Sequence, residues 1–135
     1  MKVTAGWLIL SLITLGGFSA GLAAEFKDKV KVEIESVGLH PGMPPGMYVC
    51  AAGHLHIKGT VQNLAGVALG RIKVAGKAFG PDDKLLGTAT SSTRQATVNP
   101  GEKAEINLEF LTVTGPLIRR VKRHEVTVVE ALPRH

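Results

Sequence analysis

The sequence predicts an all-β protein, a single antiparallel β-sandwich of about seven strands behind an N-terminal signal peptide. Three observations carry this reading. Apolar and polar residues alternate with period two through most of the chain after residue 25, the spacing of strands with one buried face. Turn formers recur between those runs at intervals of roughly 8–12 residues, as they do in sandwiches. The first 24 of 135 residues carry one charged side chain, Lys2, and the 22 positions after it are uncharged, including Trp7-Leu8-Ile9-Leu10-Ser11-Leu12-Ile13-Thr14-Leu15.

A basic start, an apolar stretch and the small residues leading to Gly21-Leu22-Ala23-Ala24 form the layout of a secretory signal. Cleavage is expected after Ala23, with Ala24 the next choice. An uncleaved segment would be long enough to anchor the chain in a bilayer, the only membrane contact expected. Residues 1–23 are therefore read as the signal, 24–53 as a first strand with a Pro/Gly/Met-rich loop, and 54–132 as the sandwich body.

The strands follow in order. Val30, Val32 and Ile34 alternate with Lys31, Glu33 and Glu35, and Leu55, Ile57 and Val61 alternate with His54, His56, Lys58 and Thr60. Ile72 and Val74 open a third run that continues to Phe79, Leu85-Leu86 lead into Thr88-Ala89-Thr90, and Ile106, Leu108 and Phe110 alternate with Glu105, Asn107 and Glu109. The last run holds Val126, Val128 and Val129, entered through Ile118 and Val121. Between them lie Asn63-Leu64-Ala65-Gly66, Gly80-Pro81-Asp82-Asp83, Asn99-Pro100-Gly101-Glu102 and Thr114-Gly115-Pro116, which supply a fixed Pro φ or a residue tolerant of positive φ. Residues 115–123 alone suit a helical turn.

Gly59-Thr60-Val61-Gln62-Asn63, Ile72-Lys73-Val74, Phe79 through Thr88 and Asn99-Pro100-Gly101-Glu102-Lys103 together resemble the FxLYD-type domain. The likeness covers about residues 54–130, with Gly76-Lys77-Ala78-Phe79-Gly80 in the place of the name-giving motif, of which the aromatic is kept. The resemblance implies an immunoglobulin-like sandwich of exported or membrane-anchored prokaryotic proteins. It implies no enzymatic activity.

The chain after residue 23 carries 15 Lys and Arg against 11 Asp and Glu. In an exported protein this mild excess points to an anionic surface or an envelope protein as partner, and not to nucleic acid. Few aromatics interleave the basic run Arg119-Arg120-Val121-Lys122-Arg123-His124, which argues against base stacking. That run reads as a solvated strand or loop with Val121 as its buried anchor. Cys50 is the only cysteine, so the core must hold the fold without an internal disulfide.

Residues 38–56 look chemical. They hold Pro41, Pro44 and Pro45, Met43 and Met47, Cys50, and three of the five histidines, His40, His54 and His56. Pairing residues 46–50 with 54–63 makes Ala51-Ala52-Gly53 a three-residue hairpin loop with Gly53 in the left-handed conformation. Cys50 then faces His54, Tyr48 faces His56, and all four share the outer sheet face, while Met47, Val49, Leu55 and Ile57 take the other. Thiolate, imidazole and thioether are the ligands that select copper(I), with zinc the competitor. The expected ligands are Cys50, His54, His56, Met43 and His40, with Met47 the least suited because its register points it into the core. The primary expectation remains a non-enzymatic exported binding module, with periplasmic copper binding as the alternative.

Overall fold

The computed structural model describes residues 26–35 and 43–134. The expected signal over residues 1–23, its cleavage points and His40 lie outside the described residues. Seven strands are described: β1 (Val30–Ile34), β2 (Met47–Val49), β3 (His54–Asn63), β4 (Lys73–Phe79), β5 (Leu85–Ser92), β6 (Lys103–Thr114) and β7 (Arg123–Glu130). A single helical turn, α1 (Pro116–Arg119), opens on Gly115-Pro116, where the proline's missing N–H goes unused. Ile118 belongs to this turn and not to the last strand, which begins only at Arg123. Val121, between them, is buried as expected.

The strands form two antiparallel sheets, one of β1, β2, β3 and β6 and one in the order β5-β4-β7. Alternation built them. Every second residue of β3 from Leu55 to Asn63 is buried, as are Ala104, Ile106, Leu108 and Phe110 on β6, and their neighbours face outward. From the second sheet, Val74, Ala78 and Ala89 meet this layer, and the two inner faces close one core.

β3 is the hub. β6 pairs with it from Leu55 to Gln62 along one edge, so β1 and β2 must share the other. They do so end to end and in the same direction, β1 opposite residues 59–63 and β2 opposite residues 55–57. Only Lys58 lies between those partners, whereas residues 35–46 lie between the strands. β1 and β2 thus lie in line along that edge of β3, with Lys58 between their partners. These two strands, within the stretch read as a first strand and loop, supply that edge.

The break in this edge is tied at both ends. Glu35 N–H donates to the Lys58 carbonyl, and Lys58 N–H to the Gly46 carbonyl. His124 Nε2 contacts the Pro45 carbonyl at 2.9 Å, linking it to β7 of the other sheet. A second irregularity lies across β3, where Leu55 opposes Phe110 but His54 opposes Thr114. The break in the edge falls at Lys58, midway along β3, and the register shift at its His54 end. Bulges of this kind re-aim side chains and often adjoin functional positions.

Candidate functional site

The hairpin forms in the expected register. Tyr48 opposes His56, Val49 opposes Leu55, and Cys50 N–H donates to the His54 carbonyl at 3.1 Å. Gly53 sits at φ +86° and closes the three-residue loop with its N–H on the Cys50 carbonyl. The pleat then places Tyr48, Cys50, His54 and His56 together on the outer face. Met47 is fully buried on the opposite face, and Met43 packs partly against the core. The structure therefore turns Met47 away from the thiol and imidazoles and packs Met43 against the core.

Their place beside the cluster is taken by two residues of β6. Glu109 stands directly opposite His56, and its Oε2 lies 2.9 Å from His54 Nδ1 and 3.6 Å from His56 Nε2. Asn107 Oδ1 contacts His56 Nδ1 at 2.7 Å, while Asn107 Nδ2 donates to the Tyr48 hydroxyl at 2.7 Å. The Tyr48 ring stacks on His56 with centroids 4.7 Å apart. Asn107 and Glu109 were legible only as outward-facing members of an alternating strand. No turn joins β6 to β3, so nothing local fixed which β6 residue meets which histidine.

This network fixes the His56 ring. The Asn107 oxygen lies 2.7 Å from Nδ1 and the Tyr48 hydroxyl 3.3 Å from it, so a ring that carries its proton on Nδ1 donates it to Asn107. In the neutral ring the lone pair is then on Nε2. The His56 side chain is only 13% exposed although it lies on an outer face, and its Nε2 is buried without a hydrogen-bond partner. Among the described residues, Cys50, His56 and Glu109 bring a sulfur, a nitrogen and a carboxylate oxygen within 4.8 Å of one another.

Local electrostatics favour the charged forms of both anions. The His54 backbone N–H, above all, holds the Cys50 thiol below its usual range, against the opposing effect of burial and with help from the Ala52 N–H and the His56 ring. The hydrogen bond from the His54 side chain holds the Glu109 carboxyl below the usual carboxylate range, again against burial, and the neighbouring His56 adds to it.

The basic run makes no comparable cluster. Arg123 lies 4.0 Å over the Phe79 ring and donates to Asp83 at 2.9 Å and Glu125 at 2.7 Å. Asp82 and Asp83 occupy a turn with positive φ, the role expected of them. Comparison with protein-family models, curated proteins and solved structures gives no significant match to this chain.

Proposed function

We propose that this is an exported, non-enzymatic β-sandwich module that works by binding, with the outer face of the four-stranded sheet as its working surface. The observation that carries the reading is the ordered array on that face. Six side chains from β2, β3, β6 and the hairpin loop converge there, and His56 is nearly buried outside the core. Packing of the fold does not require such an arrangement, and among the described residues the polar groups are joined to one another across a sheet face. The resemblance to FxLYD-type domains supports the same class, and the uncharged segment at residues 3–24 supports export to the periplasm or beyond. The partner on this reading is an envelope protein or an anionic surface.

Site-specific photo-crosslinking in an exporting cell tests it. A crosslinker at Lys58, on the outer face of β3, is expected to give discrete adducts, and one at Lys77, on the outer face of β4, is not. The chain should be recovered outside the cytoplasm with its N-terminus at Ala24 or Glu25. Equal labelling from both faces, or cytoplasmic retention with residues 1–23 intact, would refute the reading.

A further inference from the structure

The copper expectation rested on Cys50, His54 and His56 with thioethers to complete the site, and the structure sets the Glu109 carboxylate beside the thiol and imidazoles. We propose that Cys50 Sγ, His56 Nε2 and the Glu109 carboxylate form a site for one divalent metal ion of the zinc class, leaving a fourth position open. The donor set is the first argument. Thiolate, imidazole and carboxylate are all zinc ligands, whereas a carboxylate is a poor partner for soft copper(I). One thiolate and one carboxylate also neutralise a divalent cation, and the neutral imidazole adds no charge.

Geometry is the second argument. Zn–N and Zn–O bonds of about 2.0–2.2 Å at a tetrahedral angle hold the two ligand atoms about 3.4 Å apart. His56 Nε2 and Glu109 Oε2 already stand 3.6 Å apart. The sulfur, within 4.8 Å of both, has to move inward by at most about an ångström to complete such a tetrahedron, at the end of the hairpin beside the exposed Ala51 and Ala52. The orphaned Nε2 is the third argument. It is buried with no hydrogen-bond partner, and in the ring protonated on Nδ1 its lone pair is free for a metal ion.

The surroundings match those of a ligating histidine. Such a ring donates its other N–H to an oxygen that fixes its tautomer, as His56 Nδ1 does to Asn107, itself braced by Tyr48. His54 steadies the carboxylate in the same way. Three protein ligands with an open position are typical of ions that bind a further ligand, whereas purely structural zinc sites are closed by four. The site rests on the reading of this face as the working surface, but it can fail while the crosslinking pattern holds, and the reverse.

The test uses reduced protein purified from its exported full-chain expression and stripped with a chelator. Cobalt(II) should bind at one equivalent, with a thiolate charge-transfer band and the visible bands of a four-coordinate ion, and zinc should displace it. Cys50→Ser should remove the charge-transfer band and weaken zinc binding at least tenfold. Glu109→Gln should also weaken it about tenfold, and Asn107→Ala about 10–100-fold, although Asn107 touches no metal. Lys77→Ala should leave it unchanged. Zinc should also shift the Nε2 resonance of His56 in the wild-type protein, a readout independent of whether the variants fold. The proposal is overturned by non-saturating cobalt binding, by affinity indifferent to Cys50, or by an unmoved His56 Nε2. Copper(I) binding that survives Glu109→Gln and depends on Met43 overturns it as well.

Discussion

Asn63 shows how much one polar side chain holds at the end of β3. It is fully buried, donates from Nδ2 to the Val67 and Val98 carbonyls at 2.8 Å each, and accepts from the Ala65 N–H at 2.8 Å. Asn63→Ala removes all three bonds; the Val98 carbonyl keeps the Leu69 N–H, while the part-buried Val67 carbonyl and Ala65 N–H lose this partner. Each lost hydrogen bond is worth about 0.5–1.5 kcal/mol, and water can reach the Val67 carbonyl and the Ala65 N–H, so the expected loss is about 1–3 kcal/mol in denaturant unfolding. A loss under 0.5 kcal/mol on this scale would mean the loop re-forms without it. Glu109 acts on stability through pH. Its folded-state pKa lies below the unfolded value, so its contribution is full above the ordinary carboxyl range, about 4.3, and is lost as pH falls through the folded value. In metal-free protein, Glu109→Gln should therefore be less stable than wild type at neutral pH, with the gap closing in acid. A gap that widens in acid would contradict the His54–Glu109 pairing. The effect should be small, because Glu109 is 45% exposed and solvent screens the pair.

At the scale of elements, the shared edge depends on how closely β1 and β2 approach β3. A Cβ on Gly46 would fall 2.5 Å from Ile34 Cγ2 and 2.9 Å from the Lys58 carbonyl, at a φ of +75°. Gly53 has a φ of +86° but nothing within 4 Å of where its Cβ would be. The left-handed conformation costs an L-residue roughly 1–2 kcal/mol, and overpacking adds about 1–3. Gly53→Ala should thus cost about 1–2 kcal/mol and Gly46→Ala about 2–4, ranked by thermal or urea unfolding. Equal losses would show that β1 and β2 are not held together at Gly46. Legibility in the sequence follows the same division. The hairpin of β2 and β3 was readable because a three-residue loop sets its register, and with it the grouping of Tyr48, Cys50, His54 and His56. The joint edge was not, because twelve intervening residues set no register. Glu109 and Asn107 were hidden for a related reason, since β6 meets β3 through long-range pairing and a bulge.

For the whole molecule, alternation foretold the core, since residues whose neighbours are charged or polar had one face to bury. It could not foretell how the two sheets fit. Phe110 of β6 supplies that fit. Its ring is fully buried and aimed at glycines of the opposite sheet: a Cβ on Gly76 of β4 would lie 3.2 Å from Phe110 Cζ, and one on Gly87 of β5 3.9 Å from its Cδ2. With a single cysteine, no disulfide within the chain can compensate for a lost contact between the layers. Phe110→Ala should therefore cost about 3–5 kcal/mol, a large share of the roughly 5–15 kcal/mol typical of a domain. Gly76→Ala alone should cost about 1–3 kcal/mol, because the new methyl also presses on Leu108 Cδ1 at 2.9 Å. In the Phe110→Ala background the methyl enters space the ring has left, so the double variant should lose less than the two single losses together. Urea unfolding of the four proteins in a double-mutant cycle measures this coupling, and strict additivity would show that Phe110 does not bridge the sheets at Gly76. All four should unfold in one transition with similar slopes, because the layers share a single core and neither sheet has another face to bury against.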